Sequence, residues 1–473
     1  MSTRDFKSAR AIAAEVLREL DPTRDYAGPI LDRLLGQTEE RQRATDLVYG
    51  TLRNRSALDA VIAQFSGRPT ARIAPALLSI IRIGVYELAC SPATPVYSIV
   101  NEAVSNVENA GGKKQTGFVN AILRQVVRHI ADRQIELAKA NPRRTLIQSP
   151  QSGCQFDTDF LPDPATSLPA YLSTCFSLPP WLVSEWLNDF GPQQTRAICF
   201  ACNRRPSLYI RINPLQTTAK ELLDRFEQAG VHAELVAPGG IVKAAGLGDG
   251  LVRPPDMIRI TGPHAVTQLP GFPEGLFTIQ DLSASQAVRV LAPEPGWSIL
   301  DLCSAPGTKT TQLAEATQDS ARITATDINP DRLGRVRENL ARLGLKSVTI
   351  VPYAQLEEGK AGPFDAVLLD TPCSNTGVLA RRVEARFRVR AEDVKQIAAT
   401  QKALLEKAAS LVKPGGRICY STCSIQHQEN QDVIGEFLAG NSCFELSREE
   451  LLLPAVESFD HDGAYIGLLT RRS

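Results

Sequence analysis

Two cysteines stand in matching contexts in this 473-residue chain. Cys373 follows an apolar run in FDAVLLDTPCSNTG, and Cys423 follows another in GRICYSTCSI. Short apolar runs bounded by turn residues read as buried strands, so each thiol lies just past a strand end, with Asp370 beside the first. A thiolate is the best ordinary nucleophile among side chains, and it needs partial exposure to act. Two thiols and a carboxylate at one sheet edge suit covalent chemistry on a pyrimidine. One sulfur adds to carbon 6 of a cytosine while an acid group faces ring nitrogen 3. Carbon 5 then becomes electron-rich enough to take a methyl group, and a base removes its proton so that the thiol leaves.

A second pattern provides a cofactor site. The run WSILDLC reads as a strand ending near Cys303, followed by a turn through Ser304, Ala305, Pro306 and Gly307 and a helix opening at Thr308 and Lys309. Small residues in such a turn let backbone amides approach a ligand closely. The next strand ends at Asp327, 20 residues beyond Gly307, the spacing at which an acid meets ribose hydroxyls in nucleotide sites. The pair predicts an adenosine-containing cofactor. Pro306 and Thr308 break the G-x-G-x-x-G fingerprint, which counts against a dehydrogenase.

These residues need a scaffold, and the patterning predicts one. From about residue 275, strand runs (WSILDLC, ARITATDI, SVTIV, FDAVLLD, GRICYS) alternate with helical stretches, the signature of a doubly wound parallel sheet that binds ligands beyond the carboxyl ends of its strands. Residues 271–473 are read as this α/β Rossmann-like domain. Residues 170–270 mix helical and strand patterns and are read as a small α+β module. Residues 141–169, with five Pro in 29 residues, are read as a linker. Residues 1–140 place apolar side chains at spacings of three and four throughout and are read as an all-α domain.

Composition narrows the class. Hydrophobic residues make up 43% of the chain, enough for large cores, and no apolar run reaches the roughly 18 residues that span a bilayer. The charged start MSTRDFKSAR does not resemble a signal peptide, and ten Cys are too dilute for a disulfide framework. A soluble, cytoplasmic protein with free thiols and no membrane contact is expected. The 52 basic and 52 acidic side chains cancel. They are not evenly spread: residues 1–140 hold 19 basic against 15 acidic, and residues 271–473 hold 22 against 26. The run LARRVEARFRVR, residues 379–390, offers five Arg with Phe387 for phosphates and a stacked base. Cys199 and Cys202 form a lone C-x-x-C, read as packing, and His427 is read as a surface histidine.

The blocks DLCSAPGTKT, ATDINPDRL, LLDTPCSNTGVLARR and YSTCSIQHQEN resemble the motifs of the RsmB/Sun (NOL1/NOP2/Sun) family of RNA 5-methylcytosine methyltransferases, which use S-adenosylmethionine. LVYGTLRNRSALDAVI, RIGVYELA, VNEAV and GFVNAILR resemble the NusB-like RNA-binding domain of the branch that modifies bacterial 16S rRNA, and LPPWLVSEW with LYIRINPL resembles its middle region. The resemblance implies a monomeric small-subunit rRNA cytosine-5 methyltransferase. It implies Cys423 as nucleophile, Cys373 in release of the product, and Asp370 on the cytosine and near the cofactor. Cys303, Ser304, Ala305, Pro306, Gly307, Thr308 and Lys309 would wrap S-adenosylmethionine, with Asp327 on its ribose. The chain departs from the pattern at Thr308 and Asn375, each where the family has Gly, and at Tyr353, which stands where an acid is expected. The motifs do not say which RNA is bound, and a tRNA-directed enzyme or a non-catalytic ribosome-assembly factor carries many of the same features.

Overall fold

A computed structural model describes residues 6–109, 112–236, 256–262, 264–357, 362–456 and 459–473. Two compact units form: residues 1–204 with 379–389, and residues 205–378 with 390–473. Among the described residues, no helix is long and apolar enough to cross a membrane.

The first unit opens with α1 (Ala9–Glu19), α2 (Ala27–Leu35), α3 (Arg41–Arg53), α4 (Arg55–Ser66), α5 (Pro75–Cys90), α6 (Val96–Asn109) and α7 (Thr116–His129). Ser8 caps α1 by accepting a hydrogen bond from the Ala11 amide at 3.2 Å. The apolar faces meet in cores that bury Ile12, Val16, Leu58, Ile81, Leu88 and Leu123, each contributing roughly 1.5–3 kcal/mol of transfer free energy. A charge cluster lies within these helices. Arg10, 3% exposed, forks onto Glu87, 1% exposed, and also pairs with Glu102, while Arg43 reaches Glu87 Oε1 at 3.1 Å. Arg133 donates to the carbonyls of Glu87, Leu88, Ser91, Pro92 and Thr94, satisfying the end of α5 and the turn after it.

The proposed linker is not one. Between α7 and residue 156 the chain forms β1 (Ile130–Glu136), β2 (Thr145–Ile147) and β3 (Ser152–Phe156), an antiparallel sheet ordered β1-β3-β2. Leu146, Cys154 and Phe156 enter the helical core, so their burial overrides the proline-rich composition. α8 (Leu168–Phe176) and α9 (Pro180–Asn203) also cluster with this unit rather than with the module that follows. α9 breaks at Gly191, ahead of Pro192.

The second unit begins with β4 (Leu208–Ile212), α10 (Ala219–Gln228), β5 (Ala233–Leu235), β6 (Met257–Ile260) and β7 (Phe277–Ile279). The strands order as β5-β6-β4-β7, all antiparallel, over a core of Ile210, Leu222, Phe226, Ile258 and Phe277. Thr218 and Glu221 form a reciprocal capping box at α10.

The large sheet takes its strands from the rest of the unit: α11 (Gln286–Leu291), β8 (Ser298–Asp301), α12 (Thr308–Ala316), β9 (Arg322–Ala325), α13 (Leu333–Leu343), β10 (Val348–Ile350), α14 (Tyr353–Glu357), β11 (Phe364–Asp370), α16 (Ala391–Leu411), β12 (Val412–Thr422), α17 (Gln431–Gly440), β13 (Phe444–Leu452) and β14 (Ala464–Arg471). The short helix α15 (Ala385–Arg388) belongs to the first unit. The strand order is β10-β9-β8-β11-β12-β14-β13. The five strands legible in the sequence are parallel, but β14 runs antiparallel to β12 and β13, so the sheet is mixed. Arg211 of β4, 1% exposed, pairs with Glu315 of α12 at 2.7 Å and donates to Thr311 Oγ1 at 3.0 Å, joining the small sheet to the large one.

Candidate active site

Because β8 to β12 are parallel, their carboxyl ends deliver Asp301, Asp327, Asp370 and Cys423 to one edge of the sheet. At that edge β11 and β12 are neighbours, with Asp370 paired in register to Ser421. The two loops that follow bring the sulfurs of Cys373 and Cys423 to 3.0 Å. Both are free thiols and part-exposed. The Cys373 thiol is held well above its ordinary pKa, first by its hydrogen bond with the Cys423 sulfur and then by burial and the charges of Cys423 and Glu429.

Asn375, at φ 63°, sits in the left-handed region that Gly favours and Asn tolerates, which accounts for an Asn at this position. Its side chain links both loops. Nδ2 donates to the Cys373 carbonyl at 2.9 Å, and Oδ1 accepts from Cys423 Sγ at 3.3 Å.

The sequence left Glu429 without a role, and the structure places it beneath both cysteines. It is fully buried. Its carboxylate accepts from the Ser374 amide at 2.7 Å, the Ser374 hydroxyl, the Ser424 hydroxyl at 2.5 Å and Gln401 Nε2 at 3.4 Å. Burial raises its pKa while these donors pull it back down. Since Ser374 adjoins Cys373 and Ser424 adjoins Cys423, one carboxylate ties the two loops together. The only signal in the sequence is an acid six residues past Cys423 in a polar run.

Asp370 Oδ2 pairs with Lys309 Nζ at 2.6 Å, and Oδ1 accepts from the Ser421 hydroxyl at 2.8 Å. Burial opposes charge on Lys309, yet Asp370, with Cys423 and Asp301, keeps its pKa above the ordinary lysine value. The Lys309 ammonium is therefore committed to Asp370.

The turn from Cys303 to Gly307 lies between β8 and α12. Gly307 caps α12 at φ 101°, and a Cβ there would lie 3.2 Å from Val336 Cα. Asp327, 3% exposed, accepts from the amides of Ala305 at 3.2 Å and Asn329 at 2.9 Å. Asp301 Oδ1, Ser304 Oγ and Thr326 Oγ1 are buried without a hydrogen-bond partner, although the backbones of these residues are bonded to one another. Such orphaned atoms around a glycine-capped helix start suit a polar ligand. Burial drives the Asp301 carboxyl up to about 7, with Asp370 and Asp327 adding to the rise and Thr310 and Lys309 opposing it. Burial likewise keeps the Cys303 thiol far above its ordinary value, so it is no nucleophile. Tyr353 opens α14 just past β10, half-buried.

Comparison with known proteins fits this arrangement. The model of the 16S rRNA methyltransferase RsmB/F family matches residues 288–463, the NusB family matches 7–128, and the RsmF/B-like ferredoxin-like domain matches 178–243. A probable ribosomal RNA small subunit methyltransferase B from Synechocystis is 33% identical over 91% of this chain and 89% of its own. The chain belongs to the RsmB/F family of RNA methyltransferases. The Bacillus subtilis member, also a probable ribosomal RNA small subunit methyltransferase B, is 30% identical over 96% of this chain and 94% of its own. A methyltransferase homolog protein from Pyrococcus horikoshii has a solved structure with TM-score 0.53 and 26% identity, covering 64% of this chain and 99% of its own. The helical NusB-like domain, ferredoxin-like module and methyltransferase sheet of this RsmB/F member are those its motifs imply.

The arginine run at 379–390 divides: Arg382 and Arg390 are exposed, whereas Arg386, Phe387 and Arg388 turn to the first unit. Arg386 is 3% exposed and donates to the carbonyls of Arg53, Phe176, Cys202 and Leu379 and to Asn203 Oδ1. Burial pushes its pKa down to about 10. Arg388 donates to the carbonyls of Pro22 and Asp25, and Phe387 lies under Arg55 at 5.3 Å. These three side chains build the first unit and are not a free RNA surface. Cys199 and Cys202 are buried in α9, and His427 is exposed with Nδ1 2.8 Å from Asp432.

Proposed function

We propose that this RsmB/F member transfers a methyl group from S-adenosylmethionine to carbon 5 of a cytosine in 16S rRNA, through a covalent bond between Cys423 and carbon 6. The observation that carries the reading is the pair of thiols 3.0 Å apart beside the Asp370–Lys309 pair. The names of the Synechocystis and Bacillus subtilis relatives support the rRNA substrate, and they favour it over tRNA.

S-adenosylmethionine, when bound, supplies an electrophilic methyl group. The residues that would hold it are the Cys303–Gly307 turn, with Thr308 and Lys309 at the start of α12, and Asp327 on the ribose. Asp370, beside both thiols, would lie against the cytosine and the cofactor. Cys373 stays protonated in the free protein, which leaves the attack to Cys423. The Cys423 thiol gives its proton to solvent, and its sulfur bonds to carbon 6 as the ring double bond between carbons 5 and 6 opens and leaves carbon 5 electron-rich. The sulfur pair is no longer available to Cys373 as a hydrogen-bond acceptor. The hydrogen bond with Cys423 that raises the Cys373 pKa is then gone. Cys373 loses its proton to solvent and, as a thiolate, takes the proton from methylated carbon 5. The carbon–hydrogen pair re-forms the ring double bond, and Cys423 departs with its own electron pair. A target cytosine in structured RNA must leave its stack to reach the sulfurs.

The test uses two variants. Cys423→Ala abolishes methyl transfer, and Cys373→Ala accumulates a protein–RNA adduct that survives denaturing electrophoresis. Equal, modest losses from both variants overturn the separate roles. Bisulfite mapping of RNA from a deletion strain identifies the target, and a lost site in tRNA overturns the rRNA assignment.

A further inference from the structure

The helical unit contains a cavity of about 400 Å³, lined by α1, α3, α4, α5 and the turn at Thr70. Three guanidinium groups line it, from Arg18, Arg55 and Arg82, against a single carboxylate, Asp59. Asp59 is already committed: it binds Arg82 with two hydrogen bonds of 2.7 Å. Arg55 is half-buried, lies over the Phe387 ring, and has no hydrogen bond or ion pair among the described residues. Burial, then the nearby Arg82 charge, lower its pKa. Arg18 stands exposed at the rim. On the same wall, the Thr51 hydroxyl is buried without a hydrogen-bond partner.

A part-buried guanidinium with idle donors beside a second cation is costly unless an anion completes it. Its planar fork matches the oxygens of a phosphate. The volume is that of a small-molecule pocket and leaves space around a bare phosphate. Leu52, Ile73 and Leu78 provide an apolar wall for a sugar or base face.

We propose that this cavity is a nucleotide-binding site in which Arg55 and Arg18 take the phosphate. The nucleotide could belong to an RNA chain or be free. The RNA source rests on the RNA-methyltransferase reading; the site itself does not.

The full-length protein is titrated calorimetrically with cytidine monophosphate, inorganic phosphate and a short single-stranded RNA, in the native form and as Arg55→Gln. The expected result is that the monophosphate binds more tightly than inorganic phosphate, and that Arg55→Gln weakens it roughly tenfold or more. If RNA is the source, the same variant weakens RNA binding and lowers its salt slope by about 0.7. If RNA binding is unchanged while the monophosphate loses affinity, the site holds and the source is a free nucleotide. Equal monophosphate affinity in both proteins overturns the proposal. Should Arg55→Gln fail to fold, Arg18→Gln at the rim gives the same two outcomes. Methyl transfer by the native protein, measured alongside, tests the enzyme reading separately.

Discussion

Individual residues at the sheet edge do unequal work. Glu429 acts through its neighbours, since it touches Ser374 and Ser424 and neither sulfur. Glu429→Ala strands two hydroxyls and an amide, a loss on the order of 3 kcal/mol in chemical denaturation. It should also lower kcat by roughly 100-fold with a smaller change in KM, because sulfurs displaced by about an ångström no longer meet the base. Glu429→Gln keeps an acceptor and the shape, and restores most of both. Equal kcat in all three proteins defeats the positioning role. Asp301 gives a pH dependence. Its folded pKa of about 7 lies above its ordinary value of 3.8, so the folded state holds a proton that the unfolded state has released. The stability this contributes is complete below the unfolded value and is lost as pH rises through about 7. Denaturation midpoints of the native protein should therefore fall between about pH 4 and pH 7 relative to Asp301→Asn, whose curve lacks this component. Cys373, Cys423, Asp370 and Asp327 are all legible as cysteines and acids that follow predicted strands. Glu429 is not, because burial and hydrogen bonding of a carboxylate leave no local pattern.

Secondary elements were legible to the extent that their signals are local. β8, β11 and β12 carry apolar runs, as doubly buried strands do, whereas β9 alternates and β10 is a part-exposed edge strand. β13 and β14 were missed, since FELSREELL mixes charge with apolar residues and AYIGLLTR stands alone near the end of the chain. The segment Leu379–Val389 was misread for a different reason. Five arginines look solvated, but Arg386 is buried against backbone carbonyls of α3, α8 and α9 and their following turns. Arg386→Ala would leave those acceptors unpaired and cost about 3 kcal/mol or more. A lower urea midpoint together with new proteolytic cleavage within 379–389 is the expected readout. Unchanged cleavage would mean that Arg386 does not hold the segment.

For the whole molecule, equal numbers of acids and bases predict weak nonspecific attraction to RNA. With two to five phosphate contacts, the logarithm of RNA affinity should fall with the logarithm of salt at a slope of about −1.4 to −3.5. Filter binding across a salt series measures it, and a slope steeper than about −6 would show a larger basic surface than the charge balance suggests. The sequence by itself determined the order of the helical, α+β and α/β segments, the parallel strands and which cysteines and aspartates follow the strand ends, because strand period, turn residues and motif spacing are short-range properties. Only the tertiary structure decided that two sulfurs 50 residues apart in the chain lie 3.0 Å from each other, that one buried carboxylate holds both loops, and that Arg386 turns inward. Those outcomes come from which surfaces pack and which charges lose water, and residues distant in the chain settle both only when they meet.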